Sequence, residues 1–244
     1  MISHIVSPLL SLLFPQQCKV CNSRDCDADT GICCGKCWSD SRIFTGNEML
    51  CSKCGSYFNA EGGDIEVSCH KCGDHAYDKA FAAGIYEKGL AANLLALKSQ
   101  PFIPKAVRHS IRDSITRRGL TEIDIIIPAP LSVKRRAERG FNQADLIADE
   151  AAAACGKPVD RNSLIRKIHT PIHRIAMDDK ARALTVKNAF DVARPKLVEG
   201  KNILLVDDVF TSGATASACA AVLKKKGADK VMVFTAARAV LRSE

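Results

Sequence analysis

Ten of the twelve cysteines fall before residue 73, and eight of them form four Cys-x-x-Cys pairs: Cys18 with Cys21, Cys34 with Cys37, Cys51 with Cys54, and Cys69 with Cys72. No other feature restricts folding so strongly. At this spacing both thiolates of a pair point at one ion while backbone N–H groups hold their charge, and two consecutive sets of four match the ligand count of two tetrahedral zinc ions. Gly55 and Gly73 follow two of the pairs and suit the tight turn. Closed four-thiolate sites leave no position for water, so they predict structural metal and no chemistry. Free core cysteines are the competing reading. Within the metal reading, Cys26 and Cys33 are further candidates for the first set, and His70 and His75 for the second. No secretory cleavage signal precedes the cysteines, so metal in a reducing cytoplasm is expected rather than disulfides.

The composition changes after this region. Up to about Asp74 the chain reads as turns and short hairpins with little aliphatic material, so metal must supply its cohesion. From Lys79 onward apolar strands alternate with Ala-rich helices, the pattern of an open parallel sheet flanked by helices. The expected organisation is a short apolar helix over 1–15, a double zinc ribbon over 16–76 and an α/β domain over 77–244. The stretch Met1 to Phe14 is apolar but lacks a Lys or Arg flank, is interrupted by Pro8 and followed by Pro15, and is too short to span a bilayer. Ser7 is placed to cap a helix starting at Pro8 whose leucines face another domain, with membrane-surface contact as the lesser reading. A chain of 244 residues, 47% hydrophobic, is neither disordered nor fibrous. The formal charge of +8 counts cysteines as neutral. Two filled four-thiolate sites contribute about −2 each and leave roughly +4, a weak pointer to phosphate-bearing partners.

In the second region, Lys88 to Ser99 and Pro104 to Arg117 read as helices, and Asp124 to Ile127 as a buried strand stopped by Pro128 and Pro130. A helix is expected over Asn142 to Cys155 and a strand over Pro158 to Ile165. Arg166 to Lys187 has no clean period, which in a compact domain marks a functional or mobile segment. Asn202 to Asp207 and Lys230 to Ala236 complete the predicted sheet, with Gly227 suited to end the intervening helix.

The run Ile203 to Thr215 reads Ile-Leu-Leu-Val-Asp-Asp-Val-Phe-Thr-Ser-Gly-Ala-Thr. An apolar strand ends in two carboxylates, and a hydroxyl-rich turn then opens a helix. Asp207 and Asp208 are placed to accept hydrogen bonds from a ribose diol. Thr211, Ser212, Gly213, Ala214 and Thr215 can wrap N–H groups and hydroxyls around a phosphate at the helix's positive end. The plainer reading is a strand-to-helix turn with an acidic N-cap. A P-loop is excluded because no Lys follows the glycine, and Gly-x-Gly-x-x-Gly is absent. The signature resembles that of type I phosphoribosyltransferases.

Taken with the zinc pairs, Ile-Pro-Ala-Pro-Leu (127 to 131) and Arg-Gly-Phe-Asn-Gln (139 to 143), the chain is identified as a member of the ComF/GntX family, a resemblance spanning nearly its whole length. The resemblance implies a double zinc ribbon fused to a type I phosphoribosyltransferase fold, and a role in natural competence with single-stranded DNA and competence-machinery proteins as partners. It implies a site for 5-phosphoribosyl 1-pyrophosphate (PRPP) with Mg2+. Asp207 and Asp208 would be the catalytic pair and ribose ligands, and Thr211 to Thr215 would hold the 5-phosphate. Pyrophosphate is expected against the loop carrying Ala129, Pro130 and Leu131, with Lys134, Arg135, Arg136 and Arg139 near to neutralise it. Arg139 to Gln143 has a structural alternative, in which Phe141 packs beneath the sheet and Asn142 starts a helix. The irregular segment corresponds to the family's flexible hood, with Arg166, Thr170, His173 and Arg182 as contacts. The chain departs from the family pattern at His173 and Thr185.

Overall fold

The computed structural model describes residues 17–26, 28–61, 67–70, 72–167 and 188–240, without the side chains of 59–61. The apolar helix expected over 1–15 lies outside these residues, as do the hood candidates Thr170, His173 and Arg182.

The centre is a four-stranded, all-parallel sheet in the order β3 (Lys79–Ala82), β8 (Lys230–Arg238), β7 (Asn202–Phe210) and β4 (Ile125–Pro128). Its strands are continuous apolar runs because both faces are covered. Ile203, Leu205, Val231 and Val233 pack on one face with Cys219, Ala220 and Leu223 of helix α6 (Ala214–Lys225). Leu204, Val206, Met232 and Phe234 pack on the other with α2 (Lys88–Ala96), α3 (Lys105–Arg118) and α5 (Gln143–Cys155). The period-2 alternation of a strand thus feeds two cores.

Six elements match the expected ones within three residues at each end: α2, α3, β4, α5, β7 and β8. Gly119 and Gly156, both left-handed, terminate α3 and α5. Three expectations need correction. The strand expected over Pro158 to Ile165 is split. Val159 makes a single parallel bridge to Ile126. The Asp160 carboxylate then accepts from the N–H groups of Asn162 and Ser163, an Asx turn that takes the chain out of the sheet. Beyond the turn the chain enters a separate antiparallel ribbon of β5 (Leu164–Arg166) and β6 (Phe190–Val192). Second, α4 (Val133–Arg139) forms where no helix was expected; it buries no residue, so it left no apolar period in the sequence. Third, β7 continues past Asp207 to Phe210, because β8 extends beside it and pairs Val209 with Ala237 and Phe210 with Arg238.

The cysteine-rich region, which holds α1 (Gly35–Ser39) and the antiparallel pair β1 (Glu48–Leu50) and β2 (Tyr57–Glu61), packs onto the sheet rather than standing apart. Cys51, Cys54 and Cys72 are buried in the same apolar cluster as Tyr77, Ile127, Val233 and Phe210. The Ala80 N–H donates to Lys53 O (2.7 Å). Gly55, at φ +68, sits so close to β3 that a Cβ there would lie 2.7 Å from Ala80 O, so this knuckle glycine is required twice over. The first set meets α2 instead. Asn93, buried, donates from Nδ2 to Thr30 O (3.0 Å) and approaches Cys33 Sγ at 3.5 Å.

Candidate functional site

The two cysteine sets come together as the spacing predicted. Cys18, Cys21, Cys34 and Cys37 form one group, Cys51, Cys54, Cys69 and Cys72 the other, with all four sulfurs of each group within 4.8 Å of one another. Sulfur separations of 3.7 Å for Cys21 and Cys34, 3.6 Å for Cys51 and Cys72 and 3.5 Å for Cys54 and Cys69 are close to the edge of about 3.8 Å that a tetrahedron with 2.3 Å Zn–S bonds requires. All twelve cysteines are free thiols. The groups therefore fit zinc.

Backbone N–H groups support one thiolate in each group. Burial opposes ionisation of Cys18, but N–H groups of Cys21, Cys34 and Val20 overcome it and bring the thiol down to about 6; at Cys51 the N–H groups of Cys54, Cys69 and Lys53 do the same, again to about 6. Burial pushes Cys37 and Cys54 up, and Cys72 up to about 11. Gathering four thiolates at one point needs a cation to offset their mutual repulsion. The spare candidates are placed otherwise. Cys33 donates to Thr30 O (3.3 Å) and contacts Asn93. The Cys26 backbone pairs in an isolated antiparallel bridge with that of Cys34, and its thiol is pushed up to about 11 by burial and neighbouring thiols. His75 stacks on Tyr77 at 5.0 Å between ring centres, and His70 is exposed.

The second cluster of polar residues lies at the carboxyl ends of β4 and β7. Pro128 pairs with Val206, so the loop that leaves β4 begins level with Asp207. Ala129 is pinned there: its N–H donates to Val206 O (2.8 Å), and its carbonyl accepts from Asn142 Nδ2 (3.0 Å). Asn142 is also the N-cap of α5, accepting from the Ala144 N–H (3.3 Å), as the structural reading of this motif required. Phe141 is half-buried and belongs to neither sheet-face cluster, contrary to the expectation that it packs beneath the sheet. Gln143 is 2% exposed, and its Nε2 has no hydrogen-bond partner among the described residues. Pro130 and Leu131 come next, and Ser132 caps α4, which carries Lys134, Arg135, Arg136 and Arg139. Arg136 lies 3.8 Å from the Asp145 carboxylate. No ion pair engages Lys134 or Arg139 among the described residues.

Asp207 and Asp208 sit where the strand's alternation breaks: Val209 packs on the α3 side and Phe210 on the α6 side. Burial, then the Asp208 carboxylate, push the Asp207 carboxyl up to about 8, against the pull of the Asp208 N–H (2.9 Å) and the Arg166 charge. Arg166 is thus brought to Asp207 from β5. Its guanidinium lies over the Phe190 ring at 5.2 Å, and burial lowers its own pKa while Cys219 and Asp207 hold it charged. Sequence reasoning missed Cys219, fully buried and raised by the same burial and by Asp207. Its signal was its place one turn after Thr215, on the face of α6 that meets the sheet.

The Thr211 to Thr215 turn leads from β7 into α6. Gly213, at φ +79, is the N-cap and has no side chain to satisfy the first turn; the Ala214 N–H has only a 3.5 Å contact to Ser212 Oγ. An N-terminus left open in this way suits an anion. The cysteine-rich region reaches this turn. The Ala76 N–H donates to Ser217 Oγ (3.0 Å), and His75 Nε2 lies 3.2 Å from where a Cβ on Gly213 would project. Beneath it Arg238, 8% exposed, donates to Cys54 O (2.5 Å), lies 3.6 Å from Cys54 Sγ and covers the Phe210 ring at 4.4 Å.

Comparison with known proteins agrees with this anatomy. The family model described as double zinc ribbon domain matches residues 9–74. The chain is 29% identical over 238 residues to a protein of Haemophilus influenzae named competence protein F, covering 93% of this chain and 98% of the relative. It is 33% identical over 120 residues to the DNA utilization protein YhgH of Salmonella typhi, covering 49% of this chain and about half, 52%, of that relative. A glutamine PRPP amidotransferase from B. subtilis aligns structurally at 21% identity and a TM-score of 0.37, covering 53% of this chain and 26% of the other. That last likeness is too low to carry any statement about a site. Among the described residues no helix is long and apolar enough to cross a membrane.

Proposed function

We propose, from the premise that this chain belongs to the ComF/GntX family, that it binds PRPP with Mg2+ and transfers the phosphoribosyl group to a nitrogen acceptor, in the service of DNA uptake on the cytoplasmic side. The observation that carries the reading is the meeting of three features at the carboxyl end of the sheet: the Asp207 and Asp208 carboxylates, the open N-terminus of α6 behind Thr211 to Thr215, and the Arg166 charge that acts on Asp207. The donor set fits a hard cation or a sugar diol. It is all oxygen, and the Asp207 carboxyl, raised by burial and then by the Asp208 charge, would be stabilised in its ionised form by either.

In this reading Thr211, Ser212, Gly213, Ala214 and Thr215 bind the 5-phosphate, and Asp207 and Asp208 orient the ribose through its hydroxyls. The loop at Ala129, Pro130 and Leu131, with Lys134, Arg135 and Arg139 on α4, receives pyrophosphate. A bond forms from the acceptor nitrogen to ribose C1 as the bond from C1 to pyrophosphate oxygen breaks, and the nitrogen's proton departs. The carboxylates favour the positive charge that develops on the ribose, and Asp207 in its ionised form is placed to take the proton. When bound, Mg2+ neutralises the leaving pyrophosphate. Thr170, His173 and Arg182 are carried as hood contacts that would exclude water.

The test is pyrophosphate release from Mg·PRPP by zinc-loaded protein across nucleobases, ammonia and amines. Release is expected to need an acceptor and to fall at least a hundredfold in Asp207→Asn/Asp208→Asn. Absence of acceptor-dependent release, with PRPP still bound, would remove catalysis from the proposal.

The relatives' names favour a second reading, a non-catalytic PRPP-responsive protein that handles single-stranded DNA or scaffolds the uptake machinery. It predicts single-strand affinity that weakens steeply with salt and with neutralisation of ribbon lysines such as Lys19, Lys36 and Lys53. No binding at low salt would dispose of the DNA role.

A further inference from the structure

Arg238 ends β8 and is buried, 8% exposed. One terminal nitrogen of its guanidinium donates to Cys54 O (2.5 Å), and the other lies 3.6 Å from Cys54 Sγ. A buried guanidinium is costly unless it is both hydrogen-bonded and matched by an opposite charge. Among the described residues no carboxylate lies within ion-pair distance of it. What faces it instead is the second thiolate group, to which Cys54 belongs. Four thiolates around a divalent metal carry a net charge of about −2, so the filled group supplies the missing counter-charge, and Arg238 donates to a metal-bound sulfur.

The same guanidinium covers the Phe210 ring, 4.4 Å from its centre. Phe210 and Arg238 are partners in the register of β7 and β8, and the Ala239 N–H donates to Phe210 O (2.8 Å), so the sheet itself sets the ring beside the cation. Tyr77 meets that ring edge-on at 6.0 Å. Gly213 rests on its outer edge: a Cβ there would lie 2.6 Å from Phe210 Cζ and 3.2 Å from Cε1. Gly213 is the N-cap of α6, and its position fixes the first N–H groups of that helix. Cys54, Arg238, Phe210 and Gly213 thus form one run of contacts from the second thiolate group to the turn. We infer that Arg238 is a positioning residue of the phosphate site: braced on the metal-loaded second group, it seats Phe210 under Gly213, so that metal binding at that group and anion binding at the turn strengthen each other. The inference rests on reading Thr211 to Thr215 as the phosphate cradle, and adds that the ribbon sets the cradle's geometry.

The experiment uses the zinc-loaded full chain. Zinc affinity of each group is measured by competition with a chelator, with and without ribose 5-phosphate, and ribose 5-phosphate binding by calorimetry. In wild type, saturating ribose 5-phosphate is expected to tighten zinc at the second group by about fivefold or more and to leave the first group, the internal reference, unchanged. Arg238→Met keeps a long side chain against Phe210 without the charge or the donors. It is expected to loosen zinc at the second group about tenfold, to weaken ribose 5-phosphate binding and to abolish the effect of each ligand on the other. Phe210→Leu leaves Arg238 on Cys54 and removes the ring under Gly213; it is expected to hold zinc nearly as wild type does while losing the coupling, and it decides the matter if Arg238→Met does not fold. Wild-type ribose 5-phosphate affinity in Arg238→Met, coupling retained in Phe210→Leu, or zinc affinity in wild type that ignores bound ribose 5-phosphate overturns the inference and leaves the cradle standing. If zinc-loaded wild type binds no ribose 5-phosphate, the cradle reading fails and this inference with it.

Discussion

Replacing Cys54 with serine is expected to leave the protein unfolded or aggregated at room temperature, with the sheet lost along with the ribbon. Cys21→Ser, at the exposed corner of the first group, is expected to leave a cooperatively folding chain. The difference arises from where each group is packed. Cys51, Cys54 and Cys72 lie in the cluster that contains Ile127, Leu205 and Val233 of the central sheet, so disrupting them opens the main core. The first group forms a small cluster of its own against α2. Structural zinc binding is worth about 10–16 kcal/mol, comparable to the whole stability of a domain, roughly 5–15 kcal/mol. Cys54 carries a second burden, because the buried Arg238 guanidinium donates to its carbonyl and lies beside its sulfur. Zinc content and a circular-dichroism melt of the two variants decide the matter. A Cys54→Ser protein that melts within a few degrees of wild type would show that the sheet folds without the second site.

Much of this was legible because the signals were local and periodic. Cys-x-x-Cys spacing assigns ligands to a single ion, and the four pairs combined as read. The apolar runs at Ile203 and Val231 are buried on both faces and could be little else than central strands. The features that were not legible depended on partners distant in sequence. Helix α4 exists because Ser132 caps it and Gly140 ends it, with nothing buried between. β7 extends past Asp207 only because β8 accompanies it to Arg238. Arg166 was read as part of a hood, yet its neighbours Asp207 and Cys219 lie more than forty residues away in sequence. His75 was weighed as a spare metal ligand on spacing alone; its place against Gly213 is a tertiary fact that no spacing encodes. At the candidate site the sequence therefore named the carboxylates and the turn, while the residues that orient them came from packing.

At alkaline pH, where the wild-type carboxyl is ionised and can accept from the ribose hydroxyls, Asp207→Asn is expected to weaken PRPP binding by about ten- to a hundredfold, and at the same time to stabilise the unliganded protein. The Asp207 carboxyl titrates near 8 in the folded chain, against an ordinary value of 3.8. Between those limits the folded state keeps a proton that the unfolded chain has released, so wild-type stability declines as pH rises, and the whole penalty is present above about pH 8. Asparagine resembles the protonated acid and escapes the penalty. Because Asp207 is only partly buried by its solvent exposure, the gain is of order 1–2 kcal/mol, or about 4 °C in Tm at roughly pH 8.5, vanishing near pH 4. Asp208→Asn removes the neighbouring charge that helps to raise Asp207, so it flattens the same pH dependence while also losing ribose contacts. Melts of wild type and both variants across pH, with and without Mg·PRPP, measure the effect. A Tm difference that stays constant with pH would place the excess charge elsewhere. A variant that keeps wild-type PRPP affinity would remove Asp207 from the ribose site.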